Sequence, residues 1–249
     1  MKNEYESEDA FLENFKASEF DQMLFSIDPV IFTIKDNRLH VLMVQRNNFP
    51  FKGAWALPGG RIDKQAADTI EEAVRLKLLD KTGLDHAYFE QVITDGGKSM
   101  DPRGWSITTV YLALVRYEDV TFAENKTGET VAWHPVDQLD KLPSIAFWHQ
   151  KLIKASLTRL RDKITYTDLP TNLMPEMFTI RQLRMAYEAI LNIEITRQAF
   201  VKRANHLINE GLLIDTGQTL EDGGRPAKLY KYAPKEAPHI FSHTMSKTK

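Results

Sequence analysis

The sequence predicts a two-domain α/β protein: a mixed sheet in the N-terminal 143 residues, a helical connector, and a small helix-plus-hairpin domain. Three observations carry this. Between residues 28 and 134, short apolar runs bounded by turn signals flank a single helical period. From 144 to about 161, apolar residues recur at helical spacing. After 178, two helical periods are followed by two short strands around a Gly/Asp-rich turn.

In order, residues 6–17 read as an amphipathic helix, and residues 28–35 and 39–46 as a hairpin turning at Asp36-Asn37. The loop 47–55 leads to Leu57-Pro58-Gly59-Gly60, and a helix over 67–81 stops at Gly83. Strands fit 89–93, 106–117 and 130–134, and their hairpin connections exclude a wholly parallel sheet. The expected domains are 1–143, a linker helix 144–163, a second domain 164–236 that opens on a polar proline-bearing boundary, and a disordered tail 237–249.

With 43% hydrophobic and 27% charged residues, the chain has ordinary globular composition and material for two cores. The absence of cysteine excludes disulfides and thiolate metal sites. The acidic start MKNEYESEDAFLENF lacks the pattern of a secretory signal, and no run approaches the ~18 apolar residues of a membrane span. These readings predict a cytoplasmic protein with no membrane partner. The net charge of −2 divides into about −4 over residues 1–163 and about +2 over 164–249, a mild asymmetry.

Thr179 and Thr196 stand where helix caps belong. In the second helix Phe200, Ala204, Leu207 and Ile208 share one face, and Gln198, Lys202, Asn205 and His206 the other. Amide and cationic side chains without acids suit a helix that reads the DNA major groove. The hairpin Gly223-Gly224-Arg225-Pro226-Ala227-Lys228 completes a winged helix, with Arg225 and Lys228 at its tip for phosphates. The DNA-facing set is Thr179, Arg181, Thr196, Arg197, Gln198, Lys202, Arg203, Asn205, Arg225 and Lys228, while His206 reads as a surface histidine.

Residues 57–84, LPGGRIDKQAADTIEEAVRLKLLDKTGL, resemble the signature of Nudix hydrolases. That resemblance implies an α/β/α sandwich binding a nucleoside diphosphate linked to another group. The family's chemistry uses glutamates at i, i+3 and i+4, one helix face that holds magnesium against pyrophosphate. Aligned on Gly83-Leu84, those positions carry Lys77, Asp80 and Lys81, so a face of about −3 becomes about +1. Aligned from Gly60, the first glutamate position is Ala66. Glu71 and Glu72 lie upstream and read as acids favouring the helix N-terminus. No catalytic or metal-binding residue is therefore assigned and no cofactor is required. The expected ligand set is Arg46, Gly59, Gly60, Arg61, Lys77, Asp80, Lys81 and Trp105. Each lysine is alternatively an ordinary exposed cation, and Trp105 either stacks on a base or fills a core.

The degraded box RLKLLDKTG, DPRG before a long strand, and GRPAKLY in the wing together resemble the Nudix-related transcriptional regulators of NAD metabolism, the NrtR family. That resemblance implies a homodimeric repressor of NAD synthesis or salvage genes on a palindromic double-stranded DNA operator. It also implies ADP-ribose as the effector, bound by a Nudix domain without hydrolase activity. An active pyrophosphatase carrying a DNA-binding domain, and a nucleotide-binding scaffold docking on protein, are the alternatives.

Overall fold

The structure, a computed structural model, describes residues 23–122, 129–221, 226–235 and 237–242. The expected helix at 6–17, Arg225 and residues 243–249 of the expected tail lie outside the described residues.

The strands β1 (Leu24–Lys35), β2 (Arg38–Gln45), β3 (Trp55–Ala56) and β4 (Gly60–Arg61) come first, then helix α1 (Ile70–Thr82). Strands β5 (Tyr88–Asp101), β6 (Gly104–Leu114) and β7 (Thr130–Pro135) follow. Helix α2 (His149–Ile164) leads to a 3-10 turn, Leu169–Leu173. The last elements are β8 (Phe178–Thr179), α3 (Ile180–Leu191), α4 (Arg197–Asn209), β9 (Leu213–Leu220) and β10 (Ala227–Tyr232).

The main sheet runs β3-β2-β1-β6-β5, with β4 on β1 and β7 on β2. β1 and β6 are parallel; every other pairing in this sheet is antiparallel. Because side chains alternate along a strand, β1 sends Ile27 and Ile31 to one face, where they meet Val74 and Leu78 of α1. Val30 and Phe32 go to the other, against Leu152, Ile153 and Leu160 of α2. Two helices thus sandwich the sheet. The apolar cluster beneath α2 continues without a break into Phe178, Leu183, Tyr187, Phe200 and Leu207. One core serves both domains.

Helix α1 begins at Ile70, later than the expected 67, because Thr69 caps it by accepting from the Glu72 amide (3.1 Å). It ends where expected: Gly83 has φ 74° and donates its N–H to the Leu79 carbonyl (2.9 Å). The connector helix starts at His149 rather than 144. Phe147 has φ 53°, outside the helical region, and Ser144 to Ala146 instead pair with Trp55 through hydrogen bonds of 3.1 and 2.8 Å.

The polar boundary after residue 163 is buried over Thr167 to Thr171. Thr171 Oγ1 donates to the Asp168 carbonyl (2.6 Å), and Tyr232 Oη to Asp168 Oδ2 (2.9 Å), so its polar groups are satisfied within the fold. The expected tail also packs in part: the His239 amide donates to Asp168 Oδ1 (2.8 Å), and Phe241 is buried. Among the described residues no helix is long and apolar enough to cross a membrane.

Candidate ligand cleft and nucleic-acid interface

A cleft opens where the glycine loop, the β5–β6 hairpin and the start of α2 meet. It encloses about 570 Å³ of space, open solvent at its mouth included. Its floor is Asp28, Ser106 and His149, all buried. Gly59 passes so close to Asp28 that a Cβ there would stand 1.9 Å from Oδ1; only glycine admits that approach. Gly60 has φ 150°, again a glycine conformation, and pairs with Ile27 of β1.

His149 is the first residue of α2. Its Nδ1 accepts from the Leu57 amide at 2.8 Å, which places the ring proton on Nε2, 3.6 Å from Asp28 Oδ1. Burial pushes the imidazole below the ordinary histidine range; Asp28 opposes this and Arg46 adds to it. The proximity to Asp28 therefore joins a neutral ring to a carboxylate and is not an ion pair. Asp28 Oδ2 accepts from Thr108 Oγ1 (2.7 Å).

Around the mouth stand three arginines. Arg46 donates Nε to the Pro50 carbonyl (2.8 Å) and lies over the Phe147 ring, 5.0 Å from its centroid. Arg103 forks onto Asp101 through Nε (3.0 Å) and Nη2 (2.6 Å), which holds that carboxyl below the usual range. Arg61 is exposed on the lining. Lysine 77 is near as well: a Cβ on Gly60 would stand 3.8 Å from its Nζ.

Of the expected ligand residues, Arg46, Gly59, Gly60 and Arg61 line this cleft, and Lys77 reaches its glycine loop. Lys81 lies one turn further on, paired with Asp80 (3.2 Å) and Glu129 (3.8 Å). Neither Asp80 nor Trp105 is in the lining, and Trp105 is exposed beside Ser106. The cation the fold family implies does not suit Lys77, Asp80 and Lys81: the Lys77 ammonium reaches the glycine loop, and Asp80, the one carboxylate of the three, is paired with Lys81. Among the described residues no three His, Asp or Glu side chains cluster as metal ligands.

Asp28, Arg103, Ser106, Phe147 and His149 were not anticipated. Asp28 carried a signal, a carboxylate inside the apolar run Ile27 to Phe32. Arg103 and Ser106 come from the β5–β6 hairpin, and Phe147 and His149 from the turn into α2, two segments far from the glycine loop in the chain.

The second candidate site is the outer face of α3, α4 and the wing. Thr179 caps α3 with a reciprocal Gln182 box (2.8 and 3.2 Å), and Thr196 caps α4 through the Ala199 amide (3.3 Å). Arg181, Arg197, Asn205 and Lys228 line one groove. Gln198 and Lys202 are exposed on α4. Lys228 is paired with Asp215 at 2.7 Å. Thr179 itself is buried, so its role is the cap.

Arg203 is corrected by the structure. It was expected on the DNA-facing side, yet it is 7% exposed and points inward. Its guanidinium donates to the carbonyls of Ile164, Thr165 and Thr167, each at 2.9 Å, at and beyond the end of α2, where Tyr187 Oη also donates to Thr167 (3.1 Å). The spacing Phe200, Arg203, Leu207 places it on the buried stripe, a signal legible in the sequence. His206 is half-buried, with Nε2 2.9 Å from His239 Nε2.

Comparison with known proteins agrees with both halves. Residues 27–155 match the NUDIX domain, and residues 170–232 the NrtR DNA-binding winged helix domain. A relative from Acinetobacter baylyi, the ADPR responsive transcriptional repressor NtrR, is 37% identical over 233 residues, 94% of this chain and 91% of its own length. The crystal structure of Shewanella oneidensis NrtR complexed with a 27mer DNA superposes with a TM-score of 0.80 at 37% identity, covering 90% of this chain and all of that one. The NUDIX domain of the same protein, solved with ADP ribose, superposes at 0.57 and 39% identity over 62% of this chain and 99% of that one. An ADP-ribose pyrophosphatase of Methanocaldococcus jannaschii is 36% identical over 120 residues, 48% of this chain and 66% of its own length. With a Nudix sandwich and an NrtR winged helix sharing one core, the chain belongs to the NrtR family.

Proposed function

We propose that this protein is a cytoplasmic, homodimeric transcriptional repressor of NAD synthesis or salvage genes, and that ADP-ribose in the Nudix cleft lowers its affinity for a palindromic operator. The observation that carries this reading is the placement of α2. Its first residue, His149, forms part of the cleft floor, and the carbonyls at its far end seat Arg203 of α4. A ligand that shifts α2 has a direct physical route to the reading helix. The ligand's pyrophosphate meets Arg46, Arg61 and Arg103, with Lys77 and the Gly59-Gly60 loop beside it. Arg181, Arg197, Gln198, Lys202, Asn205, Arg225 and Lys228 meet DNA, while Thr179 and Thr196 hold their helices.

Hydrolysis is absent in this account because Lys77, Asp80 and Lys81 stand where the metal-binding glutamates of active relatives are expected. The test is a gel-shift series on DNA from upstream of NAD-synthesis genes, with and without ADP-ribose, alongside a product assay in magnesium. DNA release without formation of AMP supports the proposal. Release that depends on hydrolysis, or AMP formation at an enzymatic rate, contradicts it.

A further inference from the structure

The cleft floor carries an assignment that the arginine rim does not. Ser106 Oγ is buried (3% exposed), lines the cleft, and has no hydrogen-bond partner among the described residues. A buried hydroxyl left unpaired is unfavourable unless something else bonds it. Across the same floor, Asp28 Oδ1 has no donor at normal length among the described residues, since His149 Nε2–H stands 3.6 Å away, beyond hydrogen-bond range. The floor thus presents a carboxylate acceptor with an imidazole N–H donor beside it and, further along the same sheet face, a buried hydroxyl, since Ser106 pairs with Leu24, four residues before Asp28.

That donor and acceptor mix sorts ligand groups. A phosphate oxygen is repelled by Asp28 and drawn to the arginines at the mouth. A sugar hydroxyl both donates and accepts, so one hydroxyl donates to Asp28 while accepting from His149, and a second hydroxyl on the same ring bonds Ser106. We propose that Asp28, Ser106 and His149 form a ribose-hydroxyl subsite at the bottom of the cleft, so that the sugar, rather than the pyrophosphate, lies against the first residue of α2. This rests on the effector reading above and specifies which part of the ligand the connector helix senses.

The experiment is calorimetric titration of the full-length protein and of Ser106→Ala and Asp28→Asn with ADP-ribose, ADP, ribose 5-phosphate and inorganic pyrophosphate. Ser106→Ala removes only an unpaired buried hydroxyl and is not expected to lower the melting temperature. It weakens ADP-ribose binding about five-fold, and Asp28→Asn about ten-fold or more, with pyrophosphate affinity unaffected. The same loss with ribose 5-phosphate assigns the subsite to the terminal ribose; the same loss with ADP assigns it to the adenosine ribose. Unimpaired ADP-ribose binding in folded variants, or an equal loss with pyrophosphate, overturns the subsite. Wild-type protein that binds ribose 5-phosphate but not ADP-ribose keeps the subsite and overturns the effector. Wild-type protein that binds neither overturns both.

Discussion

The guanidinium of Arg203 lies 3.7 Å from the centroid of the Phe241 ring while donating to three backbone carbonyls at the end of α2. One face is covered by an aromatic from the C-terminal segment, and the edge is spent on the connector, so the side chain locks α4 to α2. The pairing is a buried cation stabilised by carbonyl dipoles and a π-face, with no carboxylate required.

Arg203→Ala removes the guanidinium donors from the Ile164 and Thr165 carbonyls and leaves Thr167 only the Tyr187 hydroxyl, in a dry environment. The expected cost is about 2–4 kcal/mol of stability, read as a lowered midpoint in denaturant unfolding. Truncation after Pro238 removes Phe241 and acts in the same direction. An unchanged midpoint in Arg203→Ala would show that the lock contributes nothing.

The neighbouring residue behaves differently. Lys202 is exposed on α4, so Lys202→Ala leaves stability within about 0.5 kcal/mol. It reduces the slope of log DNA affinity against log salt by about 0.9, the release of one counterion's worth of phosphate contact. A slope equal to wild type removes Lys202 from the interface.

Arg46→Ala is expected to weaken ADP-ribose binding by about ten-fold or more, through loss of a charge-assisted contact at the mouth. Lys77→Glu acts in the same direction by placing an anion beside Gly60. Affinity retained in both variants, measured by calorimetry without metal, moves the pyrophosphate elsewhere.

Stability is expected to fall as pH drops below the ordinary histidine value of 6.5. Burial is the first cause of a lowered pKa at His40, His134 and His149 alike. The sign follows from linkage: above 6.5 neither state binds the proton, and below it the unfolded chain takes protons that the folded rings refuse. Thermal melts across this range check it. His149→Asn, whose Oδ1 can replace Nδ1 as acceptor for the Leu57 amide, gives a shallower decline; an identical decline excludes His149 as a contributor.

Much of the DNA-binding half is local and readable: Thr179 and Thr196 cap α3 and α4 where they were expected. Gly83 likewise stops α1 by its own backbone. The cleft was half legible. Gly59, Gly60 and Arg61 belong to the motif that announces them, and Arg46 ends the expected strand, 39–46, that leads to it. Asp28 and Ser106 come to one face of the sheet through the parallel pairing of β1 with β6, which places Leu24 beside Ser106 and Asp28 beside Val110. His149 joins them only because Phe147 turns the chain before α2 begins. No local pattern encodes either event. The inward turn of Arg203 was encoded in its spacing from Phe200 and obscured by its charge.

The most direct test of the account is reciprocal coupling. DNA affinity is measured with and without saturating ADP-ribose, and ADP-ribose affinity with and without saturating operator, at one salt concentration. The account predicts that each ligand weakens the other by the same factor, about 5- to 150-fold, because one shift of α2 serves both sites. Independent affinities, each ligand binding as though the other were absent, would contradict it.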